Sequence, residues 1–184
     1  MGYYKYWADI VKSLTDRDLA IFVLSYSLAP HAQYPVQLNQ AVEALRFILD
    51  QTKCSASHIL LGGDSAGGNL AIAVLLHIVH PHPQITKLDL YEPLAGVCVF
   101  APWSMLNAGR GQKADCSGDV VTPDVAEPWS RAYLGTAPGD YYTDVATAPV
   151  EWFKTLPVRQ ILVLGGQNEI MLPLIEDFVE KVRV

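Results

Sequence analysis

Apolar and polar positions change period along this chain, from helical spacing to continuous apolar runs and back. Residues 3–15 place Tyr3, Tyr6, Trp7, Ile10, Val11 and Leu14 on one helical face. Residues 19–24 form a continuous apolar run of strand length, partly β-branched. Such a run, apolar on both faces, predicts a central strand of a parallel sheet. Residues 25–35 hold two prolines and read as a loop. Residues 36–50 set Leu38, Ala41, Val42, Leu45, Ile48 and Leu49 on one face, with Asn39, Gln40, Glu43 and Arg46 away from it, which predicts an amphipathic helix.

The apolar run of residues 59–61 predicts a second strand. A helix-like stretch from Asn69 follows and continues to about His80, where Pro81 and Pro83 stop it. Residues 97–101 form another candidate buried strand, ended by Pro102 and Trp103. Residues 104–150 change character: Gly, Pro, Asp and Thr are frequent, and apolar periodicity is weak except around 125–134. This stretch reads as an insertion over the sheet edge with a short helix, either a lid over a pocket or a plain surface connection. A last strand is expected at 160–164. Pro173 then opens a final helix with Leu174, Ile175, Phe178, Val179 and Val182 inward. Short apolar strands alternating with helices predict an α/β fold with a mostly parallel sheet, helices on both faces and a single domain over 1–184.

Composition narrows the function. The 184 residues are 51% hydrophobic and 17% charged, a globular balance with room for a sizeable core. The net charge of −6 and the lack of a basic run give nucleic-acid binding no electrostatic support. Three scattered cysteines, Cys54, Cys98 and Cys116, indicate neither a disulfide framework nor a zinc cluster, so no metal or cofactor is expected. No apolar run approaches a membrane span, and no signal-peptide core is seen at the N-terminus. A cytoplasmic protein is the default expectation.

The chemistry concentrates at residues 63–68, which read Gly-Asp-Ser-Ala-Gly-Gly. This contains G-x-S-x-G, placed between a predicted strand and a predicted helix. A nucleophilic serine needs its hydroxyl held proud on a turn too tight for larger residues. Gly63 and Gly67 are expected to leave room for that turn, and the Ala66 N–H to point where an acyl oxyanion forms. Ser65 is therefore the candidate nucleophile. In a parallel α/β sheet, active residues gather past the carboxyl ends of strands. Glu169 lies just past the last predicted strand, where an acid orienting a base belongs.

With these residues in view, the chain resembles the α/β-hydrolase superfamily, and within it the hormone-sensitive-lipase family. It looks most like fungal esterases of the steryl acetyl hydrolase type. The segment Ser25, Tyr26, Ser27, Leu28, Ala29, Pro30, followed by Tyr34 and Pro35, is similar to the family's Y-x-L-A-P…(F/Y)-P stretch. Residues 63–70 match its elbow. Ala101, Pro102 and Trp103 resemble the end of its next strand, and residues 165–169 through Asp177 and Phe178 resemble the acid-bearing segment. The resemblance implies an α/β-hydrolase fold and a serine carboxylic-ester hydrolase acting on a small or apolar acyl ester. It implies Ser65 as nucleophile, Glu169 as the triad carboxylate and Ala66 as an oxyanion donor.

Two family parts have no counterpart. The triad order is Ser, Asp/Glu, His, yet His31, His58, His77, His80 and His82 all precede Glu169. His31 sits past a strand end and is the one alternative base. His77, His80 and His82 are expected to be surface histidines at a helix end. The family's H-G-G-G oxyanion loop and the strand before it are also absent. That strand would lie between the 19–24 and 59–61 strands, so the sheet is expected to be incomplete. The gap could be closed by direct pairing of its neighbours or by another chain, which allows a homo-oligomer. The favoured expectation is a sequence truncated at both ends. Three functions follow: an ester hydrolase, a catalytically inactive hydrolase-like binding protein, or a hydrolase-like protein of a biosynthetic pathway.

Overall fold

The computed structural model describes residues 2–14, 18–106 and 118–183. The side chains of Tyr3, Tyr6 and Trp7, on the expected face of the first helix, lie outside the described set, as do Cys116 and residues 107–117 of the predicted insertion.

Three strands, β1 (Leu60–Asp64), β2 (Gly96–Phe100) and β3 (Ile161–Leu164), form one parallel sheet in the order β1-β2-β3. The register aligns Asp64 with Phe100 and Phe100 with Leu164, so all three strands end in one row. Among the described residues five α-helices accompany them: α1 (Gly2–Ser13), α2 (Val36–Thr52), α3 (Ala66–Val79), α4 (Pro123–Leu134) and α5 (Leu172–Val182). Each expected helix is present, and three of the four expected strands are.

The core lies on one face of the sheet. Leu61, Val97, Val99 and Val163 point into it and meet α2, α3 and α5 in a single cluster. In α2 the buried residues Leu38, Val42 and Leu45 recur at helical spacing, the stripe that the periodicity predicts. In α3 every residue from Gly68 to His77 is buried, so this mostly apolar helix sits inside the fold with only Asn69 and His77 as polar side chains in that stretch. The opposite sheet face carries Leu60, Leu162 and Leu164, all exposed. Apolar strands were expected to be covered on both faces; the helix cover described by the core cluster lies on one.

The expected strand at 19–24 does not form. These residues carry no strand assignment, and Phe22 is 56% exposed. A strand exists only through ladder hydrogen bonds to a neighbour, and among the described residues β1 pairs with β2 alone. Nor does direct pairing with β1 close the predicted gap. The chain is caught again at Ser27, whose N–H donates to Gln40 Oε1 (2.8 Å) and whose carbonyl accepts from Gln37 Nε2 (3.0 Å).

The histidines at the end of α3 are a second correction. His77 is fully buried and His82 is 6% exposed, not surface residues. The His82 N–H donates to His77 Nδ1 (3.0 Å), and the Gln84 N–H donates to His82 Nδ1 (3.2 Å). Each Nδ1 therefore accepts, which makes both rings neutral with the proton on Nε2. His77 Nε2 then donates to the Thr86 carbonyl (3.3 Å), an oxygen that Arg46 also holds (2.9 Å). His82 packs edge-on to Tyr34 and Tyr142, and its Nε2 lies 3.8 Å from Asp140, which also accepts the Tyr34 hydroxyl (2.6 Å). His80 stacks on Trp152 at 4.2 Å. The helix end is thus a polar joint sealed by aromatic rings. No metal-binding group of His, Cys, Asp or Glu occurs among the described residues.

Burial first of all lowers the affinity of His77 and His82 for a proton. Arg46 works the same way at His77, while the Thr86 carbonyl and Glu43 oppose it there and Asp140 opposes it at His82. A depressed folded value means that the unfolded chain binds protons first. The joint's contribution to stability is complete above the ordinary value of 6.5 and is lost as pH falls below it. Thermal melts between about pH 7.5 and 5.5 should show Tm falling through this window, and a His77→Gln, His82→Gln double variant should lose most of the slope. A flat wild-type Tm would contradict the joint.

Candidate active site

β1 runs into α3 through Ser65, which adopts φ 53°, ψ −114°. A residue with a Cβ avoids this region, and strain of this kind survives only where the surroundings over-determine it. The surroundings are close here. A Cβ on Gly63 would lie 2.1 Å from the Gly67 carbonyl oxygen, so the position admits hydrogen alone. A Cβ on Gly68 would lie 3.0 Å from Pro102 Cα, which draws the start of α3 against the segment after β2. Gly67 itself meets nothing within 4 Å. The expected roles therefore shift: Gly63 is sterically required, Gly67 is not, and Gly68 supplies the second close approach.

Hydrogen bonds extend the sheet past the strand ends. The Ser65 N–H donates to the Phe100 carbonyl (2.9 Å), and the Ala101 N–H to the Leu164 carbonyl (2.7 Å). The Ser65 carbonyl accepts from the Asn69 N–H and the Trp103 N–H, both at 3.0 Å. Ser65 is half-buried and Ala66 exposed. Ala66 is the first residue of α3, so its N–H has no carbonyl one turn earlier in the helix to bind, and it stands at the positive end of the dipole.

Glu169 is half-buried and follows β3. Its Oε1 accepts the Gly166 N–H. Burial, the largest cause, raises its pKa, and the negative charges of Asp119 and Asp64 add to this; the Gly166 hydrogen bond opposes it. β1 and β3 end in the same row of the register, so Ser65 and Glu169 both follow strands that end at one carboxyl edge. The next N–H, that of Ile170, donates to Asp119 Oδ2 (2.7 Å), so residue 119 secures the turn that bears the acid.

α4 flanks the same edge. Trp103, Leu106, Ala126, Ile170, Met171 and Ile175 form one cluster, and Ser130 Oγ donates to the Leu106 carbonyl (2.7 Å). The segments after β2 and β3 therefore meet α4 beside the elbow.

The five histidines do not complete this arrangement. Among the described residues no histidine hydrogen-bonds Ser65 or Glu169. His77, His80 and His82 occupy the other end of α3, about 20 Å from the elbow at the rise of an α-helix. His58 is exposed at the amino end of β1, and His31 is exposed on its loop.

A family model of the α/β hydrolase fold matches residues 7–184. The chain belongs to the α/β-hydrolase fold family. Among relatives of this α/β-hydrolase, an acetyl-hydrolase of Streptomyces hygroscopicus is 33% identical over 122 residues, which is 65% of this chain and 38% of that protein. An esterase of Fusarium pseudograminearum is 33% identical over 100 residues, 51% of this chain and 31% of that protein. A solved esterase from the bacterial hormone-sensitive lipase family superposes with a TM-score of 0.71 at 24% identity, over 87% of this chain and 50% of its own. The chain thus spans about half the length of that structure and less than two fifths of the two curated relatives.

Sequence reasoning singled out Ser65, Ala66 and Glu169 but assigned nothing to Gly68, Asn69 or Asp119. Gly68 and Asn69 stand next to the motif, so adjacency was a usable signal. Asp119 sits in a stretch with no periodicity and offered none. Replacing Gly63 by Ala should destabilise the fold by about 3 kcal/mol or more, because backbone must move, whereas Gly67→Ala in ordinary helical backbone should change stability by less than about 1 kcal/mol. Urea unfolding of the two variants checks this, and equal effects would refute the asymmetry.

Proposed function

We propose that this chain carries the nucleophilic part of a serine carboxylic-ester hydrolase of the hormone-sensitive-lipase type. The observation that carries the reading is Ser65 in a strained left-handed turn at the carboxyl edge of a parallel sheet, with Gly63 unable to bear a side chain. The hydroxyl of Ser65 attacks the ester carbonyl as a base removes its proton, and the alcohol leaves after a tetrahedral oxyanion that the Ala66 N–H stabilises. Water then releases the acid from the acyl-serine. Glu169 is assigned to orient that base, a place that no histidine among the described residues fills. The names acetyl-hydrolase and esterase borne by relatives support a small acyl ester as substrate. α4 is assigned to cover the pocket, because it packs on Trp103, whose backbone N–H holds the Ser65 carbonyl.

A second reading rests on one observation: no described histidine reaches Ser65. A hydrolase-like protein that binds an ester without cleaving it would look the same. Hydrolysis of p-nitrophenyl acetate and butyrate beside a Ser65→Ala control separates the two, together with labelling of Ser65 by an organophosphonate. The enzymatic reading expects labelling at Ser65 and a rate about tenfold or more above the control. Equal rates and an unlabelled serine would sink it and leave the binding protein.

A further inference from the structure

Asn69 is 4% exposed, one of the few buried polar side chains among the described residues. Its amide nitrogen donates to two backbone carbonyls, that of Trp103 at 2.9 Å and that of Thr143 at 2.8 Å. Both acceptors are carbonyl oxygens, so the NH2 group, not the amide oxygen, must face them, and both its hydrogens are used. The backbone of the same residue donates to the Ser65 carbonyl at 3.0 Å, and the Trp103 N–H donates to that oxygen at 3.0 Å. These bonds close a ring. Ser65 O accepts from Asn69 N and Trp103 N, and Trp103 O accepts from the Asn69 side chain.

The ring has an outer support. Thr143 is fully buried. The Ala146 N–H donates to the Ser104 carbonyl (2.8 Å), and the Leu106 N–H to Asp144 Oδ1 (2.8 Å), so the segments after β2 and around residue 143 are already joined. Asn69 ties both to the first turn of α3.

We propose that Asn69 is a positioning residue for Ser65. It does not reach the ester. Through Trp103 it anchors the Ser65 carbonyl and so holds the left-handed turn that presents the hydroxyl. A strained residue relaxes unless several contacts oppose it, and one of the two hydrogen bonds on the Ser65 carbonyl, that from Trp103, depends on this side chain. The role rests on Ser65 being the nucleophile, but the anchoring of the turn can be read without catalysis.

The test uses this chain with Asn69→Asp, which keeps the shape but turns both donors into acceptors, and Asn69→Ala in case the carboxylate blocks folding. Ile72→Ala, buried in the same helix, serves as a comparably destabilised control. Hydrogen exchange by NMR should show the Trp103 amide exchanging about tenfold or more faster than the change in global unfolding accounts for in the Asn69 variants, and not in the control. For p-nitrophenyl acetate, kcat should fall about tenfold or more with KM within about twofold, while the control keeps kcat per folded molecule. Trp103 exchange that simply follows global unfolding overturns the clamp. A loosened Trp103 with unchanged kcat overturns the positioning role. If wild type shows no turnover beyond Ser65→Ala, the nucleophile reading fails by itself, and Trp103 exchange alone decides whether Asn69 holds the turn.

Discussion

The carbonyl oxygen of Gly67 stands where a Cβ of Gly63 would be, and that approach sets how β1 turns into α3. With only hydrogen at Gly63, the chain reverses within one residue and forces Ser65 to a positive φ. The same reversal starts α3 directly at the strand end, so the helix leads back along the sheet face and fills the core. Every other feature of the site follows from this. The parallel register brings the ends of β2 and β3 level with the elbow. Their continuing segments, both on the β2 side of the elbow, then carry Trp103 and Glu169.

α3 links two polar centres through an apolar interior. One end holds the elbow and the amide of Asn69; the other holds two neutral histidines inside an aromatic shell. At both centres the buried Asn69 amide nitrogen and the two ring nitrogens of His77 have partners that offset their desolvation, while His80 Nε2 and Ser104 Oγ close by have none. Those partners are backbone groups of segments that the pattern of apolar residues does not describe. Loop 140–144 serves both ends, with Asp140 near His82 and Thr143 under Asn69. The stretch that looked least structured in sequence therefore ties the helix at top and bottom.

The exposed residues 19–24 and the exposed sheet face of Leu60, Leu162 and Leu164 belong to one physical picture. A strand is stabilised by its neighbours, and a sheet face by what packs on it. The apolar pattern announces both, but only where partners are present does the pattern become structure.

Local chemistry was legible from the residues alone. Helical stripes such as Leu38, Val42 and Leu45, the stop at Pro81, the helix start at Pro173, and a serine between glycines after an apolar run depend on neighbours a few positions away. So the helices, three strands and the candidate nucleophile could be read in advance. Tertiary structure alone decided the rest: which glycine is sterically required, that His77 and His82 are buried acceptors, that 19–24 stays unpaired, and that Asn69 and Asp119 brace the site. Each of these rests on contacts between residues far apart in sequence, such as Asn69 with Thr143 or Asp119 with Ile170. A single chain's pattern carries no record of who meets whom across the fold.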